Sequence, residues 1–245
     1  MNEAERELLE TVRRARAERR TVASAGEARG VDLAGAFRIQ AALVAGRPVK
    51  GYKLGLVSPA KQRQMGIDRP IWGRVLPGMI HAGTVDLGGF LQPRLEPEVA
   101  AVLGDAIRPG ARPGEVARAV AGFVLAVDIL DSVWADYRFT LPEVVADNSS
   151  GGGFLLGSRL LPTPPPGELE LWLDGERLAR GPVSALGDPW RHLAWLAGET
   201  GGLEPGQVVF LGAPAAARPA RPGTLVLIST AGVLSARLVD SRGEG

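Results

Sequence analysis

The chain has 245 residues, 45% of them hydrophobic, enough to bury a substantial core as one large domain or as a core with a small helical appendage. Its 28 basic and 27 acidic residues are interspersed and leave a formal net charge of +1, which gives no one-sided basic surface for nucleic acid and suits small, neutral or weakly anionic partners. The absence of cysteine excludes disulfides, thiolate metal sites and cysteine nucleophiles, and is compatible with a cytoplasmic location.

In chain order, the N-terminus MNEAERELLETVRRARAERR is charged at helical spacing and lacks the apolar region of a signal peptide. Apolar residues at three-to-four spacing predict amphipathic helices over 3–20 (Leu8, Leu9, Val12) and 32–45 (Leu33, Phe37, Ala41, Val44). From Gly51 onward the apolar runs are short and bounded by turn residues: AAVLG, GFVLAVDIL, GGFLLG, LELWLDG, GQVVFLG and GTLVLIS. They predict one mixed β-structure. Between them TLPEVVA and DPWRHLAWLAGET read as helices, the second with Trp190, Leu193 and Leu196 on one face. The proline cluster LLPTPPPGE reads as a stiff connection between two parts of the sheet. The longest apolar stretch, Ala119 to Val127, ends at Asp128, well short of the roughly 20 residues of a membrane helix. The expected organisation is an N-terminal helical region, 1–50, and a mixed β catalytic core, 51–245, within a single domain.

Several residues could carry chemistry. In RLEPEVAAVLG, Glu96 and Glu98 are two apart, which on a strand puts both carboxylates on one face, able to converge on a cation or simply to face solvent. Pro97 between them cannot donate to a ladder and predicts an edge or bulge position. Asp128 and Asp131 interrupt the apolar run GFVLAVDILDS, and a carboxylate buried there needs a cation or dense hydrogen bonding. Asp128 would add a third oxygen ligand to Glu96 and Glu98, and oxygen-only ligands suit magnesium or manganese. Only three lysines occur, Lys50, Lys53 and Lys61. Lys53 sits between Gly51 and Gly55, which permit close backbone approach to a ligand, although a surface loop lysine is the plainer reading. The turn Asp147, Asn148, Ser149, Ser150 offers donors for a carboxylate, or is an ordinary loop. His81 and His192 sit in unrelated contexts, and a serine triad has no support.

Taken together, these segments resemble the 2-keto-4-pentenoate hydratase and 4-oxalocrotonate decarboxylase family, of the fumarylacetoacetate-hydrolase-like fold. The resemblance runs through AFRIQ at 36–40, GYKLGLVSPAKQRQMGIDRPIWG at 51–73, PRLEPEVA at 93–100, DILDS at 128–132, VVADNSSGGGFLLG at 144–157, LAWLA at 193–197 and GQVVFLGA at 206–213. It implies an α+β fold with a mixed β-barrel-like core and outer helices, a magnesium or manganese ion, and homo-oligomeric assembly. The family's metal carboxylates fall on Glu96, Glu98 and Asp128, the last an aspartate where the family usually has glutamate. Val133 stands where arginine commonly follows Asp-Ser. The resemblance assigns Lys53 to enolate stabilisation or proton transfer, with a pKa lowered near the cation, and points to Leu54, Gly55, Ser58, Ile71, Asn148 and Ser149 as substrate contacts.

The same resemblance implies a lyase acting on a small 2-oxo acid. Similar hydratases carry Pro-Asp-aromatic-Gly where this chain has Pro70, Ile71, Trp72 and Gly73, and YRFTLPEVVADNSS is closer to the decarboxylases. The expected reaction is decarboxylation of 2-oxo-3-hexenedioate (4-oxalocrotonate) to 2-hydroxypenta-2,4-dienoate in aromatic meta-cleavage catabolism. The alternatives are hydration of that dienoate, and a catalytically silent partner subunit. Association with the next pathway enzyme is expected; nucleic acid and membrane are not.

Overall fold

The computed structural model describes residues 1–26, 30–58, 62–63, 67 and 69–243. Residues 59–61, 64–66 and 68 of the GYKLG-to-IWG motif, Lys61 among them, lie outside the described residues. The first helix, α1 (Glu3–Ala17), begins at a reciprocal cap in which the Asn2 side chain accepts from Glu5 N–H and the Glu5 carboxylate accepts from Asn2 N–H. It buries Leu8, Leu9, Val12 and Ala15. The second, α2 (Leu33–Leu43), is capped by Asp32, whose side chain accepts from Gly35 N–H at 2.7 Å. Among the described residues, three further helices are α3 (Pro113–Ala119), α4 (Leu141–Ala146), which is the predicted TLPEVVA segment with Thr140 as its cap, and α5 (Pro189–Thr200), capped by Asp188 and stopped by Gly201 in the left-handed conformation.

The strands are β1 (Gly51–Gly55), β2 (Ile71–Val75), β3 (Ile80–His81), β4 (Thr84–Asp86), β5 (Arg94–Leu103), β6 (Val120–Leu130), β7 (Gly151–Leu156), β8 (Glu168–Leu173), β9 (Glu176–Pro182), β10 (Val208–Phe210), β11 (Arg218–Pro219), β12 (Gly223–Ser229) and β13 (Gly232–Val239). They form two sheets, where the sequence led us to expect one. An eight-stranded sheet runs β2-β1-β10-β5-β6-β7-β3 with β11 added beside β5, and a five-stranded sheet runs β4-β13-β12-β8-β9. Both are mixed: β1 with β10, β3 with β7 and β4 with β13 are parallel. The proline segment at 160–168 explains the division. It carries the chain from β7 in one sheet to β8 in the other, and four prolines without N–H groups cannot extend either ladder.

Alternation along β5 and β6 sorts their side chains between two cores. Leu95, Val99, Ala101, Leu103, Phe123, Leu125, Val127 and Ile129 face the five-stranded sheet, where Leu169, Leu171, Leu173, Leu225, Leu227 and Leu238 meet them, with Leu193 and Leu196 of α5 in the same cluster. The other face of the larger sheet is concave, because β2 at one end contacts β7 near the other. Its hollow is plugged by Val75, Ala100, Val124, Ala126, Phe154, Val208 and Phe210, the two phenyl rings 4.3 Å apart between centroids. Helices α1 and α2 pack with Ile71, Val133, Trp134 and α4 in a third cluster. The fold is the α+β, barrel-like arrangement with outer helices that the sequence suggests. No helix among the described residues is long and apolar enough to cross a membrane.

Candidate metal centre and active site

The β5–β6 ladder builds the centre. Glu96 lies opposite Asp128 and Glu98 opposite Ala126, so the three acids share the concave face beside the aromatic plug. Oxygens of Glu96, Glu98 and Asp128 all lie within 4.8 Å of one another. Glu98 and Asp128 are wholly buried and Glu96 is half-buried. Pro97 is on neither an edge strand nor a bulge. On its second side β5 pairs with β11 at 94–95 and β10 at 100–102, and the proline falls in the gap between them, where no ladder bond is lost.

Lys53 comes to the same place from β1. It is buried, not in a surface loop, and its Nζ lies 2.8 Å from Asp128 Oδ2. Glu98 Oε2 accepts the Gly212 N–H at 3.2 Å, while Glu98 Oε1 and Asp128 Oδ1 are buried without a hydrogen-bond partner among the described residues. Burial, with the charges of Asp128 and Glu96, pushes the Glu98 carboxyl well above its usual range. Burial raises Asp128 to about 6, with Lys53 pulling down and Glu96 pushing up. Burial alone would lower Lys53, but Asp128, Glu96 and Glu98 outweigh it and hold the ammonium above its ordinary pKa. This reverses the lowered value expected for the lysine, which presupposed a cation's charge alongside it. Oxygen-only donors with orphaned buried oxygens are the environment a hard divalent cation requires, and the three residues fit one.

The glycines around Lys53 have other occupants than a ligand. A side chain at Gly51 would collide with the Val208 backbone, and one at Gly73, the cross-strand partner of Lys53, with the Asn148 carbonyl. At Gly55 it would meet Ile71 Cγ1 at 3.1 Å. Gly55 and Ile71 are paired at the open end of the β1–β2 ladder, on the face that carries Lys53. Leu54 projects the other way, into the core between the sheets with Trp72. Ser58 is half-buried and its carbonyl accepts from Gln62 N–H at 3.0 Å.

Asn148 and Ser149 work as a clamp. The Asn148 side chain accepts from Arg74 N–H at 2.7 Å and donates to Arg74 O at 2.8 Å, and Ser149 Oγ donates to Trp72 O at 2.7 Å. Residues 148–150 form a turn with φ of 50°, 54° and 55°, left-handed throughout, and Ser150 Oγ is buried without a partner among the described residues. Asp131 and Asp147 lie to the side, joined by Arg16 of α1. Its guanidinium donates to Asp131 Oδ2 at 2.5 Å and to Asp147 Oδ1 at 2.9 Å. Asp131 also accepts from Leu91 and Gln92 N–H, and Asp147 from Val133 N–H. The dense hydrogen bonding that a buried Asp131 calls for is thus supplied by the protein. Val133 is fully buried in the apolar cluster under α1. His81 tilts against Phe90, and burial lowers its pKa; His192 Nε2 lies 2.8 Å from Leu186 O. Neither histidine belongs to the carboxylate group.

A cavity of about 790 Å³ is lined by Leu33, Phe37, Arg69, Ile71, Trp195 and Glu199, and another of about 580 Å³ by Arg13, Arg16, Arg47, His81 and Asp131 among others. The three acids line neither; Ile71 is the residue that joins the larger one to the Lys53 face. Two residues of the concave face escaped the sequence reading. Arg94 is two before Glu96 and so on its face, a relation the strand period already contained. Tyr137 stands beneath the Arg94 guanidinium at 4.3 Å, placed by left-handed backbone at Asp136 and Tyr137 that no sequence pattern announced.

Comparison with known proteins agrees with this architecture. The chain is 37% identical over 210 residues to a 4-oxalocrotonate decarboxylase of Pseudomonas sp., covering 80% of this chain and 82% of that one. It is 34% identical over 205 residues to a 2-keto-4-pentenoate hydratase of Burkholderia vietnamiensis, covering 79% and 75%. Among solved structures, a 4-oxalocrotonate decarboxylase of Pseudomonas putida complexed with magnesium and adipate superposes with a TM-score of 0.84 at 27% identity, covering 95% and 96% of the two chains. The same enzyme complexed with calcium and acetate gives 0.86 at 25% identity, covering 98% of each. The family described as fumarylacetoacetate (FAA) hydrolase C-terminal matches residues 77–239, a span that contains all three carboxylates, and the chain belongs to that family.

Proposed function

We propose that the protein is a metal-dependent lyase that converts 2-oxo-3-hexenedioate (4-oxalocrotonate) to 2-hydroxypenta-2,4-dienoate and carbon dioxide, a step in the meta-cleavage breakdown of aromatic compounds. The observation that carries this reading is the buried cluster of Glu96, Glu98, Asp128 and Lys53, bordered by the apolar Ile71. Magnesium or manganese held by the three carboxylates would supply a Lewis acid for the 2-oxo group. In the reaction the bond to the departing carboxylate breaks, and its electron pair moves through the conjugated chain to the 2-oxo oxygen. Lys53, whose Nζ lies 2.8 Å from Asp128, would supply the proton that this oxygen takes up. Ile71 presents a hydrocarbon wall on the Lys53 face, which disfavours the charged carboxylate before it leaves and keeps water from the product. A small soluble substrate and product accord with a cytoplasmic homo-oligomer that passes the dienoate to a following enzyme.

Hydration of 2-hydroxypenta-2,4-dienoate is the runner-up, favoured by the likeness to the hydratases. Given each compound separately with magnesium, the protein should release carbon dioxide from the hexenedioate much faster than it consumes the dienoate. Ile71→Asp should narrow the gap by slowing decarboxylation. Efficient hydration of the dienoate, with the hexenedioate untouched, would replace this reading by the runner-up.

A further inference from the structure

The motif AFRIQ at 36–40 ends in Gln40, a polar side chain wholly buried on α2 for which the chemistry proposed above has no use. Its amide is spent on two other elements. Nε2 donates to Trp72 O of β2 at 2.9 Å and to Val145 O of α4 at 3.1 Å, while Oε1 accepts from Arg74 Nη1 of β2 at 2.7 Å. Carbonyls only accept and a guanidinium only donates, so the amide has one orientation that satisfies all three. Strand β2 ends its sheet, with β1 on one side and no further strand on the other among the described residues. The outer edge of such a strand leaves backbone groups to be satisfied. Here side chains stand in for a missing strand: Gln40 and Ser149 bond the Trp72 carbonyl, and Asn148 bonds both the N–H and the carbonyl of Arg74.

Those groups flank Gly73, the partner of Lys53 across the β1–β2 ladder, and Ile71 immediately precedes Trp72. Gln40 is the one member of the set that comes from outside the turn at 148–150, and it ties β2 to the end of α4 that leads into that turn. A buried amide offsets its desolvation only where its partners are all met, which holds it, and the strand it bonds, to one arrangement. We propose that Gln40 is a positioning residue: it holds β2 against the turn at 148–150, and through β2 sets Lys53 and Ile71 for the reaction, without belonging to the acid cluster. This role rests on the decarboxylation reading above and deepens it.

The test compares the wild type with Gln40→Met and Gln40→Glu in carbon dioxide release from 2-oxo-3-hexenedioate with magnesium, beside hydrogen exchange and a magnesium titration. Gln40→Met removes all three bonds. Gln40→Glu keeps the shape and the acceptor for Arg74, but its carboxylate has no N–H for the two carbonyls, so it serves if the first variant does not fold. Both should exchange faster over 71–75 with 94–103 unchanged, and both should bind magnesium as the wild type does. Both should lose kcat by on the order of tenfold or more at nearly constant KM. Leu8→Ala, a truncation on α1 in the apolar cluster beneath the helices, should lower the melting temperature yet leave kcat unchanged. Wild-type kcat or unchanged exchange over 71–75 in either Gln40 variant overturns the role and leaves the reaction standing. So does a magnesium affinity that falls with kcat, or an equal loss of kcat in Leu8→Ala. A wild type that releases no carbon dioxide overturns the decarboxylation reading and this role with it.

Discussion

Lys53 illustrates how much one residue type decides. Its ammonium is a compact charge on a flexible stem and can give up a proton, which an arginine in the same place could not do. Its 2.8 Å contact with Asp128 is buried on both sides, so Lys53→Met would strand the acids and should cost about 3–5 kcal/mol of stability without metal. With magnesium restoring positive charge, the variant should still bind the ion yet turn over slower by a factor on the order of 10² or more. Steady-state kinetics beside a magnesium titration separates the two effects; wild-type turnover would remove Lys53 from the chemistry. The centre was legible at this scale because of where acids stood. Glu96 and Glu98 obey the strand period, and Asp128 breaks an apolar run. The depth of Lys53 was not legible, since a five-residue strand flanked by glycines looks the same as a loop.

Elements meet at Arg16, the bolt that fixes α1 to the end of β6 and to the turn before β7. Asp147 shows the strain of its position: burial raises its pKa, and Arg16 only partly offsets the rise. Arg16→Met would leave Asp131 and Asp147 buried without their counter-charge, and should destabilise the protein by about 3–5 kcal/mol in urea unfolding. A loss below about 1 kcal/mol would mean the backbone N–H donors suffice for both aspartates. The left-handed turn at 148–150 is the counterpart. Each non-glycine residue in that conformation costs roughly 1–2 kcal/mol, offset here by the bonds of Asn148 and Ser149 to β2. Sequence marks this stretch as a polar turn. Its handedness and its partner strand depend on Gly73, seventy-five positions earlier.

For the molecule as a whole, the acid cluster links stability to pH and metal. Asp128 titrates at about 6 in the folded protein against 3.8 ordinarily, and Glu98 is also raised. Raised carboxyl pKa values stabilise the folded state while the groups are protonated, so that contribution is present below about pH 4 and is lost as pH rises through about 6. A divalent cation competes with those protons. Magnesium or manganese should therefore raise the melting temperature little near pH 5 and much more near pH 8, in a thermal series run at millimolar ion. A gain independent of pH would place the ion elsewhere, and no gain at either pH would remove the site. Four of the helices and six of the strands could be read from periodicity and the barrel-like class from the family resemblance, but the division into two sheets could not, because apolar runs do not say which neighbour they pair with. That pairing has a consequence in time. The three carboxylates sit on β5 and β6, joined by a short excursion through α3, whereas within the sheet β1 reaches them by pairing with β10 near the far end of the chain. Closing so long a loop is slow and late. During synthesis the β5–β6 ladder that carries the acids can therefore form before β10 is available to close the sheet beside β1, so the acids should gather before all the contacts that hold their ammonium are in place.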